Sequence, residues 1–247
     1  MKRTALTIAG ADPSGWAGIK ADLDAFDAFG VRGFFAAAAL TAQNRRGVRA
    51  VMLVPPDFLR KEVSVLLEEF RIDAVKIGML GSSSNARAMA RIIRRKGLKN
   101  CVLDPVMRST GGYPLMDCGG VEAIKALLKL AAVVTPNLME ARLLSGVRIK
   151  DLKDMESAAL NIHLEGARNV IVKGGHLKGA PVDVLYDGKR FYHFEGKRIK
   201  GRKEIFHGTG CMFSSAIAAG LAKGLNVRTS VEGAKRYVEK TLQGRRL

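Results

Sequence analysis

The sequence predicts an α/β fold with a central, mostly parallel sheet, helices on both faces and a small antiparallel β element. The first observation is that short β-branched or apolar runs, typical of buried strands, recur at residues 6–9, 34–40, 48–54, 74–77, 101–103, 133–134 and 169–172. The second is that amphipathic helical patterns lie between most of these runs, at residues 17–29, 57–70, 85–95, 120–130 and 154–165. Strands and helices in alternation give a parallel sheet that is covered on both faces.

A β-hairpin is predicted in the last third of the chain. Residues 181–186 and 189–194 alternate between apolar and polar around Asp187-Gly188, a dipeptide that favours a tight turn. Strand pairing therefore changes from parallel to antiparallel at this point. Two further helices are predicted at residues 209–223 and 227–243.

The composition is that of a globular protein. The chain has 247 residues, of which 47% are hydrophobic, so it can bury a sizeable core. It has no long linker, repeat or low-complexity segment, and we expect a single domain over residues 1–247. Its apolar runs are shorter than the roughly 18 residues of a membrane-spanning helix. Three cysteines without a Cys-x-x-Cys pair indicate neither a disulfide framework nor a zinc site, and the cytoplasm is the expected compartment.

The net charge is strongly positive, since 41 Lys and Arg against 23 Asp and Glu give +18. Such a charge attracts nucleic acid, acidic membranes and phosphorylated metabolites alike. The basic residues are spread over several segments without interleaved aromatic residues, which favours a solvated basic surface over nucleic-acid binding. Neither a Walker-type phosphate loop nor a Gly-x-Ser-x-Gly elbow occurs, which argues against Walker-type nucleotidases and α/β-hydrolases.

The segments that follow the predicted strands are the candidate site, because ligands of parallel α/β sheets bind beyond the carboxyl ends of the strands. One segment is glycine-rich, at residues 10–18. In another, Gln43 offers an amide donor and acceptor suited to the edge of a heteroaromatic ring, or it belongs to an ordinary polar loop. Met79 follows a third strand and lines either an apolar ligand face or the core.

Two acidic residues and one lysine also follow strands. In the functional interpretation, Asp104 binds Mg²⁺ or the water molecules around it, and nucleotide phosphates supply other ligands of the ion. In the alternative interpretation, Asp104 caps the next turn. Asn137 and Glu140 have the spacing of a helix capping box; in the functional alternative Glu140 is a second acidic partner of the metal waters. Lys173 either neutralises phosphate charge or simply precedes a Gly-Gly turn.

Residues 207–211, His-Gly-Thr-Gly-Cys, begin the helix predicted after the hairpin. The first turn of a helix has unpaired N–H groups and a partial positive charge, and Gly208 and Gly210 leave room for ligand oxygens. We therefore predict an anion site here. Cys211 lies at the same helix start, where the helix dipole is expected to lower the pKa of its thiol; the alternative is a small buried residue.

Taken in order, these segments resemble the hydroxymethylpyrimidine/phosphomethylpyrimidine kinases of thiamine biosynthesis, a branch of the ribokinase-like superfamily. The resemblance covers nearly the full length of the chain. Its motifs are residues 5–10 with 12–15, 17–19 and 21–23; 41–44; 76–80; 103–107; 135–137 with 140–141; 173–177; and 207–211. A shared origin explains this ordered set better than independent coincidences do.

The resemblance implies a ribokinase-like fold, a homodimer and ATP-dependent phosphorylation of 4-amino-5-hydroxymethyl-2-methylpyrimidine and its monophosphate. A pyridoxal kinase and a non-catalytic, pyrimidine-sensing relative are the alternatives. The resemblance also assigns the site residues: Gly10, Asp22, Gln43 and Met79 to the substrate pocket; Asp104 and Glu140 to Mg²⁺ and its waters; Asn137, Lys173 and His207 to ATP; Gly208, Thr209, Gly210 and Cys211 to the anion hole and the base.

The sequence departs from the family pattern in several places. Trp16 stands where the family has a glycine, so we expect a bulky ring near the pocket that alters substrate choice. Residues 108–115 lack the Lys-Ser-Gly-Asp-Pro run, and Ile205 and Phe206 replace Asn-Thr before the histidine. The resemblance therefore indicates kinase activity more firmly than it indicates the substrate.

Overall fold

The computed structural model describes residues 2–109, 111–175, 180–199 and 201–245, whose strands form one nine-stranded sheet. The strands are β1 (Thr4–Ala11), β2 (Arg32–Asn44), β3 (Gly47–Leu53), β4 (Ala74–Ile77), β5 (Cys101–Leu103), β6 (Val133–Val134), β7 (Val170–Val172), β8 (Val182–Tyr186) and β9 (Phe191–Glu195). Their order across the sheet is β3-β2-β1-β4-β5-β6-β7-β8-β9. The strands from β2 to β7 in this order are parallel, while β3 at one edge and β8 and β9 at the other pair antiparallel.

Helices cover both faces of this sheet, as predicted. The helices are α1 (Gly18–Ala28), α2 (Pro56–Glu69), α3 (Ser83–Lys96), α4 (Gly120–Leu128), α5 (Leu138–Ser145), α6 (Leu152–Leu164), α7 (Thr209–Ala222) and α8 (Val227–Gly244), with a 3₁₀ turn at Lys203–Phe206. One core cluster joins α2 to α6, and another joins α1, α7 and α8. The neighbours Ala5 and Leu6 of β1 belong to opposite clusters, because successive side chains of a strand point to opposite faces.

Helix α7 is the most deeply buried helix near the candidate anion site. The segment Glu204–Ala222 is long and apolar enough, by composition alone, to cross a membrane, but 72% of its most apolar window is buried inside the protein. A Cβ at Gly220 would lie 2.6 Å from Ser230 Oγ, so the glycine lets α8 approach closely. The apolar character of α7 is therefore that of a core helix.

A β-hairpin occupies the place where the sequence predicted a strand followed by a polar loop. Residues 41–44 continue β2 and turn back into β3, with Thr41 opposite Val51. Because side chains alternate along a strand, Thr41 and Gln43 share the face of Ala39, whose cluster includes Met79. Antiparallel pairing satisfies the backbone of this polar segment, which propensity alone assigned to a loop.

The hairpin predicted in the last third of the chain is confirmed, while α5 was not predicted as a helix. Strands β8 and β9 pair antiparallel around Asp187-Gly188, and the Asp187 N–H donates to the Arg190 carbonyl at 3.3 Å. Helix α5 has only 8 residues, too few for a clear apolar period. Its one sequence signal was the capping box of Asn137 and Glu140, which the structure contains.

Candidate active site

A cavity of about 150 Å³ opens at the carboxyl ends of the parallel strands. It lies beside the starts of α1 and α7 and under the β2–β3 hairpin. Its lining residues are Ala9, Gly10, Ala17, Gly18, Thr41, Gln43, Lys76, Met79, Asp104, Val106, Arg108, Ser109, Leu115, Asn137, Glu140, Lys173, Phe206, His207, Gly208, Thr209, Gly210 and Cys211. The structure thus brings together every residue assigned to the site from sequence except Asp22.

Asp22 lies beneath the cavity instead of on its wall, which corrects the prediction for this residue. Its carboxylate is fully buried and accepts hydrogen bonds from Lys76 Nζ at 2.7 and 2.9 Å, Thr7 Oγ1 at 2.6 Å and Ser215 Oγ at 2.7 Å. Burial raises the pKa of Asp22, while the ammonium group of Lys76 opposes the rise. Three residues, Thr7 of β1, Lys76 of β4 and Ser215 of α7, therefore meet at Asp22, which is a structural anchor for the floor of the site.

Asp104 and Lys173 form an ion pair on the cavity wall. Asp104 directly follows β5 and Lys173 directly follows β7, which places both at the same edge of the sheet. Lys173 Nζ lies 2.8 Å from Asp104 Oδ1, and the hydroxyls of Thr135 and Ser214 donate to the same carboxylate at 3.2 and 3.4 Å. Burial tends to raise the pKa of Asp104, but the charges of Lys173 and Lys76 hold it below the usual value. Asp104 is thus a carboxylate that is paired with the ammonium group of Lys173 in the cavity.

Glu140 completes the predicted capping box and also lies on the cavity wall. Its Oε2 accepts the Asn137 N–H at 2.8 Å, while Asn137 Oδ1 accepts the N–H groups of Met139 and Glu140, so the capping box is complete. Glu140 and Asn137 also line the cavity. Burial raises the pKa of Glu140 to about 7, with Lys173 opposing the rise. The start of α5 therefore supplies a second carboxyl group near Asp104.

The motif that begins with Lys173 is described only through Gly175; its residues His176 and Leu177 lie outside the described part of the chain. A Cβ at Gly174 would overlap the carbonyl oxygen of Val182, so this position has no room for a side chain. The backbone N–H of Gly174 donates to Asp183 Oδ1 at 2.9 Å. Lys173 lines the cavity and also precedes a tightly packed glycine.

The glycine loop predicted as an anion site lies directly at the start of α7. Gly208 is the N-cap, with φ +79°, and makes no side-chain capping bond. A Cβ on Gly210 would lie 3.4 Å from Lys173 Nζ and 3.7 Å from Asp104 Oδ2, so the helix start adjoins the ion pair. The N-terminus of α7 and the ammonium group of Lys173 together form the positively charged end of the cavity.

The pKa of the Cys211 thiol is raised, contrary to the prediction of a lowered pKa. Burial raises the pKa of Cys211 to about 11, although the charge of Lys76 and a hydrogen bond from the Gly18 backbone act in the opposite direction. Nearby Asp22 and Asp104 raise it further. Loss of hydration, together with the neighbouring carboxylates, outweighs the effect of the helix dipole on this thiol.

The opposite wall of the cavity is apolar and narrow. A Cβ on Gly10 would lie 2.9 Å from Met79 Sδ, so the glycine leaves space for the methionine. Gln43 adds an amide to this wall, and Val106 and Leu115 extend it. The combination suits a small ring with polar edges.

Sequence reasoning missed several wall residues. Lys76, Arg108, Ser109 and Phe206 line the cavity without having been assigned a role. Lys76 was detectable, because a lysine inside an apolar strand next to a candidate site is rare unless it is paired. Trp16, expected near the pocket, is not among the lining residues; the next residue, Ala17, is.

His207 is buried against the first glycine-rich loop. Its Nε2 lies 3.4 Å from Asp12 Oδ2, and the ring lines the cavity. Asp12 also accepts the N–H groups of Ser14 and Ala17 at 2.8 and 2.9 Å. Burial acts to raise the pKa of Asp12, but hydrogen bonds from the side chains of His207 and Ser14 and from the Ser14 N–H hold it at about 2. An ionised Asp12 therefore ties the loop before α1 to the loop before α7.

Comparison with known proteins gives the family. A family model described as phosphomethylpyrimidine kinase matches residues 12–246. The chain is 40% identical over 241 residues to the hydroxymethylpyrimidine/phosphomethylpyrimidine kinase of Aquifex aeolicus, an alignment that covers 97% of this chain and 94% of that protein. It is 44% identical over 235 residues to a thiamine biosynthesis bifunctional protein of Geobacter sulfurreducens, which covers 94% of this chain and 48% of that protein. The chain thus spans about half the length of the bifunctional relative.

Solved structures show the same relationship. A phosphomethylpyrimidine kinase of Clostridium difficile superposes with a TM-score of 0.86 at 36% identity, covering 98% of this chain and 100% of that chain. An ADP complex of Bacillus subtilis pyridoxal kinase superposes with a TM-score of 0.87 at 38% identity, covering 96% and 90%. With the ordered motifs meeting in one cavity, these likenesses show that the chain belongs to the hydroxymethylpyrimidine/phosphomethylpyrimidine kinase family, a family of phosphotransferases with the ribokinase-like fold.

Proposed function

We propose that this chain transfers the γ-phosphoryl group of ATP to 4-amino-5-hydroxymethyl-2-methylpyrimidine, to its monophosphate, or to both. One observation carries the proposal: the glycine loop before α7, the Asp104–Lys173 pair and the apolar wall with Gln43 line the same cavity. An anion site, a phosphate-neutralising cation and a pocket for a small ring are the parts that such a transfer needs.

The anion loop and Lys173 stabilise the transferred group. The substrate oxygen attacks the γ-phosphorus, the bond to the β,γ-bridging oxygen breaks, and ADP leaves with the electron pair. Charge builds up on the phosphoryl oxygens and on the leaving oxygen, where the first N–H groups of α7 and the ammonium group of Lys173 stabilise it. Gln43 holds the aminopyrimidine edge against Met79 and thereby orients the substrate.

Cys211 takes the proton of the substrate hydroxyl when the thiol is ionised. Phosphoryl transfer has a loose transition state, so the hydroxyl proton is lost late and a weakly populated thiolate suffices. We expect Cys211→Ala to lower kcat by about 10² to 10⁴, the usual contribution of general-base catalysis. Because the pKa of Cys211 is about 11, kcat of the wild type should rise with pH above neutrality, and this rise should disappear in the variant.

The family implies Mg²⁺, and the residues present fit it. Within the described residues no group of three or more His, Cys, Asp or Glu could hold a metal ion. Asp104 and Glu140 both line the cavity, and Mg²⁺ needs only one or two carboxylates when phosphates and waters supply its other oxygens. These two residues would hold Mg²⁺ or its waters, and the ion would supply charge neutralisation for the phosphates.

The test is product identification. Purified protein is incubated with ATP, Mg²⁺ and either the pyrimidine or its monophosphate, and the products are identified by mass spectrometry. ADP together with the phosphorylated pyrimidine supports the proposal, and Cys211→Ala controls for contaminating kinases. Turnover of neither pyrimidine would refute the proposal. Thermal stabilisation by the pyrimidine without ADP formation would indicate the non-catalytic, pyrimidine-sensing alternative.

Pyridoxal kinase is the second candidate function. The observation in its favour is that a Staphylococcus aureus pyridoxal kinase, solved with AMP-PCP and pyridoxal, superposes with a TM-score of 0.88 at 35% identity. A pyridine alcohol has the size and the polar edges that the apolar wall would also accept. A kcat/KM for pyridoxal above that for both pyrimidines would favour this function.

We also propose that the chain is a cytoplasmic, single-domain homodimer whose partners are small molecules, not nucleic acid or membrane. One sheet with all described strands supports a single domain over residues 1–247. The β2–β3 hairpin supports dimerisation, because Leu40 and Met52 are direct cross-strand neighbours on its outer face and are 43% and 61% exposed. Strand β3 is also an edge strand, which a second copy can pair with.

A further inference from the structure

The indole of Trp16 contacts two arginines from distant parts of the chain. The guanidinium carbon of Arg45, in the β2–β3 turn, is 5.0 Å from the ring centroid. The guanidinium carbon of Arg245, at the end of α8, is 4.2 Å from the same centroid. Both distances are within the range of a cation–π contact. Trp16 therefore connects the loop before α1 with the C-terminal end of α8.

The guanidinium N–H groups of Arg245 also bind the segment that leads into the anion loop. Its Nη1 donates to the carbonyl oxygens of Ile205 and His207 at 3.1 and 2.8 Å. His207 immediately precedes Gly208, the N-cap of α7. A planar guanidinium can stack on an aromatic ring and donate in its own plane at once, which an ammonium group cannot do.

The backbone of Trp16 makes the third contact of this group. A Cβ at Gly208 would overlap the Trp16 carbonyl oxygen, so the loop before α1 rests directly against the anion loop. Trp16 thus touches the anion loop through its backbone and, through its ring and Arg245, the carbonyl groups just before it. These contacts support residues 205–208 from outside the cavity, since neither Trp16 nor Arg245 is among the residues that line it.

We propose that Trp16 and Arg245 are positioning residues that hold the anion loop before α7 in the geometry required for phosphoryl transfer. The inference rests on the proposed function, because the loop must receive the transferred group. Electrostatic stabilisation of a transition state requires N–H donors that are fixed before the reaction. Arg245 holds the two carbonyl groups that precede these donors, and Trp16 holds Arg245.

The kinetic test uses Arg245→Ala, Trp16→Ala and the double variant. Each single variant should lower kcat about tenfold, while the KM values for ATP and the pyrimidine stay within about twofold, because the loop acts on the transition state. The double variant should be no worse than the poorer single variant, because the ring of Trp16 acts on the loop through Arg245. Arg245→Lys should remain impaired and Trp16→Phe should recover most of the rate.

The matched control is Arg228→Ala. Arg228 lies on the same helix, with its guanidinium carbon 5.2 Å from the ring centroid of Tyr192, in a cation–π contact unconnected to the anion loop. Arg228→Ala therefore shows how much activity is lost when any arginine with a cation–π contact is removed from α8. The inference is overturned if Arg245→Ala has the kcat of the wild type or loses no more kcat than Arg228→Ala does. It is also overturned if the losses of kcat in the two single variants add up in the double variant.

A measurement without turnover separates this inference from the proposed function. Amide hydrogen exchange at residues 205–210 should be at least about tenfold faster in Arg245→Ala than in the wild type or in Arg228→Ala. If the wild type phosphorylates no pyrimidine but this exchange difference is present, the proposed function fails and the positioning contact stands. Unchanged exchange at these residues overturns the inference, whatever the activity.

Discussion

At the scale of single residues, burial decides the protonation state of the thiol in the cavity. The Cys211 thiol has a pKa of about 11 because it is removed from water, even though it lies at a helix N-terminus. A thiol with a pKa above its ordinary value is mostly protonated at neutral pH, and its thiolate fraction increases tenfold for each pH unit up to that pKa. Cys211 is therefore a weak nucleophile in the ligand-free protein.

This predicts the pH dependence of alkylation. The rate of Cys211 modification by iodoacetamide should rise about tenfold per pH unit between pH 7 and pH 10, because only the thiolate reacts. Peptide mapping by mass spectrometry measures the rate for each cysteine, with the exposed Cys118 as an internal reference for reagent activity. A Cys211 rate that levels off near pH 8 would contradict the raised pKa.

The buried ion pair beneath the cavity gives a second prediction for single residues. Asp22→Asn leaves the ammonium of Lys76 without its countercharge, although both side chains are fully buried. Breaking one partner of such a pair costs about 3–5 kcal/mol of the free energy of unfolding, measured by urea denaturation. The double variant Asp22→Leu, Lys76→Met should recover most of this loss, since it removes both charges. A single variant as stable as the wild type would contradict this interpretation.

At the scale of elements, the glycines at the two ends of α7 allow the effect of backbone strain to be distinguished from the effect of a displaced anion loop. Gly208 before the helix and Gly224 after it have φ values of +79° and +82°. A Cβ at Gly224 would meet nothing within 4 Å, whereas a Cβ at Gly208 would overlap the Trp16 carbonyl oxygen. An alanine at position 224 therefore displaces nothing, whereas an alanine at position 208 must displace the backbone of Trp16.

Gly224→Ala should lower the free energy of unfolding by about 1–2 kcal/mol, the cost of a left-handed backbone, and leave kcat unchanged. Gly208→Ala has the same strain and must in addition move the anion loop, so kcat should fall about 100-fold or more. Urea denaturation and steady-state kinetics on both variants measure the two effects. Equal kcat values in the two variants would show that the loop position does not matter.

Elements with a strong local signal were predictable from the sequence, and those decided by tertiary pairing were not. The capping box of Asn137 and Glu140 is local, and it is present as predicted. By contrast, residues 41–44 look like a polar loop and become strand only because β3 pairs with them. The position of Asp22 depends on Lys76, 54 residues away in sequence, so no local pattern could place it beneath the site.

At the scale of the whole molecule, the sheet has an edge at β3 whose outer face is apolar. Leu40 and Met52 are paired directly across β2 and β3 and are both exposed. An exposed edge strand with apolar neighbours promotes association with a second chain, and antiparallel pairing of β3 with its own copy gives a two-fold symmetric interface. We therefore expect a dimer through this edge.

Met52→Lys should shift the protein from dimer to monomer in sedimentation velocity experiments, because it places a charge at the centre of the proposed contact. The hairpin also carries Thr41 and Gln43 on its inner face, which lines the cavity. The monomeric variant should therefore show a raised KM for the pyrimidine while its KM for ATP changes less, since the hairpin loses its outer support. Val65→Lys, at a 59% exposed position on α2, is the control and should leave the dimer intact. A Met52→Lys variant that sediments like the wild type would place any dimer interface elsewhere on the surface.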